Sequence, residues 1–376
     1  MICRKETVRT FNYNCLKNGF LFLLALFMVS CGENGVPWGN KGVIEDLTPQ
    51  GAPNVSFDHC TPSNAIVDSV VFGMHIHGEH QTSLPTLNAI DDIQLKWVLN
   101  GFHWPTVEGQ RDVYRIAENY DQFFLEMAQR NVNVLMSVGN YWPTWLEDTE
   151  QLKVEAYELT RLLVKRYRPG GDFAQEYGLG NYGVRYWELI NEPNYPCCGW
   201  GSHGAEQPVN SALYAELMSE MHRAIRAEAP DVFIVFGGLS STDRFQDPME
   251  FLDNIYSYGG KDAFDIFAYH PYDEAENLSQ TIASIRSKMS AYGDAEKPIW
   301  ITEIGDPDLV DGPNGEPSQV RLFDMVASQF YDVEALFWLG INDFDGQNET
   351  WGILENNQQP RQPIYGRVKT FLDTIQ

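Results

Sequence analysis

From about residue 65 the chain alternates two hydrophobic rhythms. Short, nearly continuous apolar runs predict strands buried on both faces at 66–77, 93–104, 132–140, 183–193, 231–238, 264–272, 298–305 and 335–343. At 85–92, 114–130, 152–167, 208–228, 247–257, 275–291, 316–330 and 362–375 apolar residues instead recur every three or four positions, as in a helix with one face turned to a core. Strand then helix, eight times over, is the arithmetic of a single α/β domain of the (β/α)8 TIM-barrel type covering 65–376. A doubly wound sheet is the competitor. It would carry a Gly-rich phosphate turn, and no GxGxxG or GxxxxGK[ST] follows any of these runs.

The amino terminus has a different pattern. Arg4, Lys5, Arg9 and Lys17 precede "GFLFLLALFMVSC", a basic region and an apolar run of signal-peptide length, too short for a comfortable membrane span. Met28-Val29-Ser30-Cys31 resembles a bacterial lipoprotein box, so residues 1–31 read as an export signal ending at a Cys31 that takes lipid. Residues 32–64, rich in Gly, Pro and Asn without periodicity, read as a flexible tether. An exported protein held at the cell envelope is expected, with the membrane touched only through the lipid. Once Cys3, Cys15 and Cys31 are set aside, Cys60 could bridge to Cys197 or Cys198, or that adjacent pair could close on itself.

Charge narrows the partners. With 52 acidic and 26 basic residues the formal net charge is −26, which argues against nucleic acid or an anionic membrane surface. A neutral ligand fits better, and ten Trp and eighteen Tyr could supply flat platforms for an uncharged ring. No CxxC or Cys/His spacing suggests zinc. The spaced acids of "DPDLVDGPNGEP" (306–317) are explained by its turn-forming Gly and Pro, so no metal or cofactor is expected. Asn348-Glu349-Thr350 fits a glycosylation acceptor but carries little weight in a bacterial context.

Chemistry in such a barrel belongs at the carboxyl ends of the strands. The fourth predicted strand ends in Asn191-Glu192-Pro193-Asn194, the sixth in Tyr269-His270-Pro271-Tyr272, the seventh in Thr302-Glu303-Ile304-Gly305, and the eighth carries Trp338. Period-two alternation sets Ile299, Ile301 and Glu303 on one face, which would point the carboxylate into the barrel mouth. Two glutamates at the ends of different strands suit cleavage of a glycosidic bond: one protonates the departing oxygen while the other, ionised, meets the anomeric carbon. Asn191 could hold a sugar hydroxyl, His270 and Tyr272 could orient the ionised carboxylate, and Trp338 could lie under the ring.

"WELINEPN" followed by "IWITEIG" resembles the clan A glycoside hydrolases, and "GMHIH", "WPTVEGQRDVY" and "YHPY" are most similar to its family of β-xylosidases and related bacterial endo-glycosidases. That resemblance implies a retaining (β/α)8 enzyme with Glu192 as acid/base, Glu303 as nucleophile, Asn191 as 2-hydroxyl ligand, His270 and Tyr272 as nucleophile partners and Trp338 as platform, acting on a β-linked carbohydrate. One departure stands out. The clan's arginine near the end of the second strand falls at Leu99, leaving Lys96 or His103 to substitute, or the nucleophile's pKa to be set without that cation.

Several residues keep a plain structural reading. Glu188 reads as a paired barrel residue, His75 and His77 as either satisfied histidines or substrate contacts, and Trp104, Trp142 and Trp145 as either packing or an extension of the cleft. A non-catalytic carbohydrate-binding barrel is the alternative from another class, and Leu99 is the only feature in its favour. A nicotinamide- or phosphate-dependent barrel is disfavoured because phosphate-cradling glycines are missing after strands seven and eight. The export reading predicts that cells fed a clickable fatty acid label the wild type and not Cys31→Ser. Equal labelling of both would contradict it.

Overall fold

The computed structural model describes residues 70–76, 80–146, 148–195, 210–241, 246–308, 317–343 and 350–375. The expected signal and tether, Cys31, Cys60, His77, Cys197, Cys198, residues 309–316 and Asn348 lie outside the described residues.

Both rhythms become layers of one α/β unit. Nine parallel strands, β1 (Val71–His75), β2 (Trp97–His103), β3 (Asn133–Asn140), β4 (Tyr186–Leu189), β5 (Phe233–Phe236), β6 (Leu239–Ser240), β7 (Phe267–His270), β8 (Ile299–Ile304) and β9 (Ala335–Trp338), run in the order β5-β4-β3-β2-β1-β9-β8-β7-β6. The count exceeds the expected eight because a short strand, β6, follows Gly237 and Gly238 just beyond the fifth predicted segment. An isolated parallel bridge, Val235↔Ile266, links β5 to the residue before β7, so the sheet curls into a barrel-like form.

The connecting helices are Leu84–Asp92, Ile116–Gln129, Thr149–Tyr167, Ser211–Glu228, Pro248–Ser257, Leu278–Ala291, Ser318–Ser328 and Ile364–Ile375, within a few residues of the eight periodic segments. Their starts follow capping chemistry: the side chains of Asp148, Asn210 and Asp247 accept from Gln151, Ala212 and Glu250 backbone N–H groups at 2.8 Å. None of the described helices is long and apolar enough to cross a membrane.

Alternation along the strands makes two cores. Phe72, Trp187, Leu189, Ile299, Ile301 and Trp338 pack with the helices, whereas Val71, Leu99, Leu135, Tyr186, Val235, Trp300 and Phe337 fill the inside of the sheet. The inner set is topped by rings: Tyr186 lies 5.0 Å from Trp300 and 5.2 Å from Trp97, and Trp300 lies 6.2 Å from Phe337, centroid to centroid. Towards the carboxyl ends the inward positions turn polar, with His75, Ser137, Glu188, His270 and Thr302 all buried. The aromatic plug is thus the floor of a polar layer. Trp300→Ala should cost about 3–5 kcal/mol, read as a lower urea midpoint with unchanged slope. A loss under about 1 kcal/mol would show that this layer is not close-packed.

Candidate active site

Beyond β4 the backbone turns sharply, with left-handed conformations at Ile190 (φ 57°) and Glu192 (φ 45°). Both are costly for side-chain-bearing residues and must be held by their surroundings. Three anchors do so. The Tyr214 hydroxyl donates to the Leu189 carbonyl at 2.9 Å, Asn191 N–H donates to Asn140 Oδ1 at 2.8 Å, and Asn194 both accepts from Ser240 N–H at 2.9 Å and donates to the Ser240 carbonyl at 2.8 Å. Glu192 is thereby folded inward, 2% exposed, where the Ser240 hydroxyl bonds it.

Glu303 arrives by a different route from the one alternation suggests. Ile299 and Ile301 face the helices and Trp300 faces inward, so strict alternation would turn Glu303 outward. The β8–β9 register shifts between Ile301 and Ile304, and that irregularity re-aims the carboxylate. The half-buried Glu303 accepts a hydrogen bond from the Tyr272 hydroxyl.

His270 completes the group. Its Nδ1 is 2.9 Å from Glu192 Oε1 and its Nε2 is 3.0 Å from Thr302 Oγ1. A Cβ on Gly238 would meet His270 Nε2 at 2.0 Å, so only glycine leaves room for the ring there. Oxygen or nitrogen atoms of Glu192, His270 and Glu303 all lie within 4.8 Å of one another. Such a trio has metal-ligating atom types, but His270 is already bonded to Glu192 and Tyr272 to Glu303, so it reads as a hydrogen-bonded acid pair. The acids Glu108, Asp112 and Glu155 also cluster. There Glu108 accepts from Trp104 and from Asp112 N–H, and Glu155 pairs with Arg111.

Burial controls the protonation of every member. It pushes Glu192 up to about 8, eased by the Ser240 hydrogen bond. It raises Glu303 to about 7, opposed by His270 and the Tyr272 phenol and reinforced by the Glu192 charge. His270 is pushed down by burial, against the pull of Glu303 and Glu188, and stays neutral. Burial and the two carboxylates keep Tyr272 a phenol and therefore a donor.

The structure brings Glu192, Glu303, His270 and Tyr272 together, with half-buried Asn191 adjacent. It does not bring Trp338. That ring is fully buried and meets Phe323 edge-on at 5.2 Å on the helix side of β9, because Phe337 takes the inward position. Trp351, from the segment after β9, instead packs edge-on against Tyr272 at 6.5 Å. Tyr141, just beyond β3, also escaped the sequence reading; both Glu303 and Glu192 raise its pKa beyond the effect of burial. Its signal was the polar "GNY" closing an apolar run.

The second-strand question has a register answer. Leu99 pairs with His75 and lies in the inner apolar core, four residues before β2 ends, so it is not the mouth position. Lys96 is exposed ahead of β2, and burial depresses His103 to about 4, leaving it uncharged. Neither supplies a cation. His75 donates from Nε2 to the Thr302 carbonyl at 2.7 Å, which fits a satisfied histidine. Trp104 is fully buried on Glu108 as packing, and half-buried Trp145 donates to the Glu108 carbonyl at 3.0 Å.

Residues 188–365 match the family model of the glycosyl hydrolase catalytic core. The matched span opens at Glu188 and contains both acids. No curated protein matches the chain. Among solved structures it is similar to a family 39 glycoside hydrolase from the gut symbiont Bacteroides cellulosilyticus WH2, with TM-score 0.60, 17% identity, and 81% of this chain and 63% of that one covered. This chain therefore spans less than two thirds of that relative. A glucosidase from Croceicoccus marinus gives TM-score 0.61 at 13% identity, covering 82% and 68%. A GH5_18 protein from Streptomyces cattleya in complex with GlcNAc gives 0.60 at 13%, covering 81% and 80%. At these identities the likeness shows the fold, and with the family match it supports glycoside hydrolysis.

The raised Glu192 value has a stability consequence. Because the folded pKa lies above the unfolded one, the stability present below about pH 4.5 is lost as the pH rises through about 8. Glu192→Gln should therefore gain on the wild type in urea unfolding between about pH 5 and pH 8.5. A gap that stays constant with pH would contradict the buried, proton-holding Glu192.

Proposed function

We propose that the protein is a retaining glycoside hydrolase on a closed (β/α)8 barrel, cleaving a β-linked oligo- or polysaccharide. The observation that carries the reading is the acid pair, Glu192 buried and Glu303 half-buried, with a carboxyl oxygen of each within 4.8 Å of the other. Retaining enzymes hold the two groups about 5–5.5 Å apart, close enough for direct attack, whereas inversion leaves about 6.5–9.5 Å for a water. The surroundings support the roles. Burial raises both carboxyls, and the Tyr272 phenol and His270 oppose it at Glu303, which favours Glu303 as the ionised nucleophile and leaves Glu192 the proton that the leaving oxygen needs. Once Glu303 is bonded to the sugar its charge is gone, and Glu192 gives up its proton more easily to serve as base.

Asn191, beside the acid, is suited to the 2-hydroxyl, and the Tyr272 phenol holds the nucleophile in line. Leu99, the feature that favoured a non-catalytic barrel, sits in the inner core, and the presence of both Glu192 and Glu303 favours the catalytic reading. The β-xylosidase likeness rests on the sequence motifs, and the envelope location on the run ending at Cys31.

A panel of aryl β-glycosides and β-linked polysaccharides tests the activity. The pH profile should be a narrow bell, rising with Glu303 ionisation near 7 and falling with Glu192 deprotonation near 8. Glu303→Ala should lose at least about 1000-fold, roughly 4 kcal/mol of barrier, with azide restoring turnover as an inverted glycosyl azide. His270→Ala and Tyr272→Phe should each lose at least about tenfold, or 1.4 kcal/mol. Near-wild-type rates in the last two would remove them from the mechanism, and an active Glu303→Ala would overturn the assignment.

A further inference from the structure

Trp351 stands in the irregular segment between β9 and the last helix, yet only 7% of it is exposed. Its backbone is tied before, at and after the ring-bearing residue. Asp308 N–H donates to the Thr350 carbonyl at 2.9 Å, and the Thr350 hydroxyl donates back to the Asp308 carbonyl at 3.2 Å. The Gln319 side-chain amide donates to the Trp351 carbonyl at 2.6 Å, and Gly352 N–H donates to Asp343 Oδ1 at 2.8 Å. Arg361 closes the clamp. It is buried, its Nε donates to the Gly352 carbonyl at 2.9 Å, and its terminal nitrogens pair with Asp343 and, at 3.5 Å, with Asp308.

What the clamp presents to the site is the indole ring. It packs with Leu339 and meets Tyr272 edge-on, ring centroids 6.5 Å apart and planes at 87°. A Cβ on Gly305 would lie 3.6 Å from Trp351 Cε3 and 2.8 Å from Leu339 Cβ, so the glycine two residues past Glu303 lets both side chains close over the end of β8. Tyr272 is itself a loop residue, two positions beyond β7, and its hydroxyl donates to Glu303. His270 also meets its ring edge-on, at 6.3 Å. A phenol turns about two side-chain torsions, so its oxygen stays on one carboxylate oxygen only while neighbouring groups wall the ring in.

We propose that Trp351 is a positioning residue for the nucleophile: held by the Arg361 clamp, its ring braces the Tyr272 phenol so that the hydroxyl stays on Glu303. This rests on the glycosidase reading for its kinetic meaning but not for its structural content. Burial favours bracing over a direct role under the sugar. A stacking platform needs an open face, and Trp351 leaves almost none of its surface to solvent, whereas Tyr272 and Glu303 are half-buried. The clamp suits the task because a planar guanidinium reaches two carboxylates and a backbone carbonyl at once, which a lysine ammonium on its flexible stem does not reproduce. Such stiffness matters at a reacting group, where a misplacement of about 1 Å costs on the order of 100-fold in rate.

The direct test is carbon NMR of the full chain with tyrosine labelled at the ring carbon that bears the hydroxyl, the Tyr272 signal being assigned by its loss in Tyr272→Phe. Glu303→Gln removes the charged acceptor and supplies the reference for a phenol released from a carboxylate. Trp351→Leu should move the Tyr272 signal towards that reference, and Trp351→Phe, which keeps a ring against the phenol, should leave it near the wild-type position. An unmoved signal in Trp351→Leu overturns the proposal, as does a Trp351→Phe signal displaced equally far. The kinetic arm follows kcat on an aryl β-glycoside. Trp351→Leu should lose about tenfold and no more than Tyr272→Phe loses, and the double variant should lose at most about threefold beyond Tyr272→Phe, because both changes disturb the same bond. Losses that multiply would mean that Trp351 acts on the sugar itself and overturn the bracing. Should Trp351→Leu not fold, Arg361→Lys carries both arms, since it keeps a cation beside Asp343 and Asp308 but loses the fork that holds the Gly352 carbonyl. An unmoved Tyr272 signal there overturns the proposal. If no glycoside is cleaved by the wild type, the glycosidase reading fails while the Tyr272 signal still decides this inference.

Discussion

Everything else in this structure serves one unfavourable arrangement: two carboxyl groups, one buried and one half-buried, with an oxygen of each within 4.8 Å of the other. Two carboxylates that close, in a poorly solvated place, cannot both ionise readily, so one keeps a proton at pH values where free glutamate has lost it. On the proposed reading, dividing two identical side chains into an acid and a nucleophile is therefore a matter of environment. Glu192 is enclosed by Ser240 and His270, whereas half-buried Glu303 is held by a phenol. The ring plug of Trp97, Tyr186 and Trp300 supports this from below, keeping water from the inner side of the polar layer.

The layer order of the protein was legible because it depends on local periods. Continuous apolar runs and three-to-four repeats located the strands and helices to within a few residues, and Asp148, Asn210 and Asp247 mark helix starts as capping chemistry requires. The two acids were legible for a related reason, since a carboxylate closing an apolar strand is expensive unless it has a use. What escaped depended on register and on contacts far apart in sequence. The shift between Ile301 and Ile304 delivers Glu303 to the site although plain alternation would not, and it breaks the face shared by Ile299 and Ile301. Trp338 and Phe337 differ by one position, which decides the side of the sheet each ring takes. Leu99 likewise was set at the mouth position although it lies four residues before β2 ends.

Other supports are small residues whose value appears only in three dimensions. Gly238 gives His270 its space, and Asn194 ties the loop after β4 to Ser240. The family match opening at Glu188 and ending at Tyr365 covers both acids and these supports, and the solved relatives share the barrel-like frame at 17% identity or less. The pair needs this frame to hold its spacing to within about half an ångström, the tolerance that productive geometry allows.

Spacing determines stereochemistry, so the configuration of the first product tests the pair most directly. Proton NMR of the anomeric signals during the first turnovers on an aryl β-glycoside, before mutarotation, distinguishes the outcomes. With Glu192 and Glu303 close enough for direct attack, the β anomer should appear first and the α anomer only later, by mutarotation. An α anomer formed first would mean that a water stands between sugar and carboxylate, and would contradict the assignment of Glu303 as nucleophile.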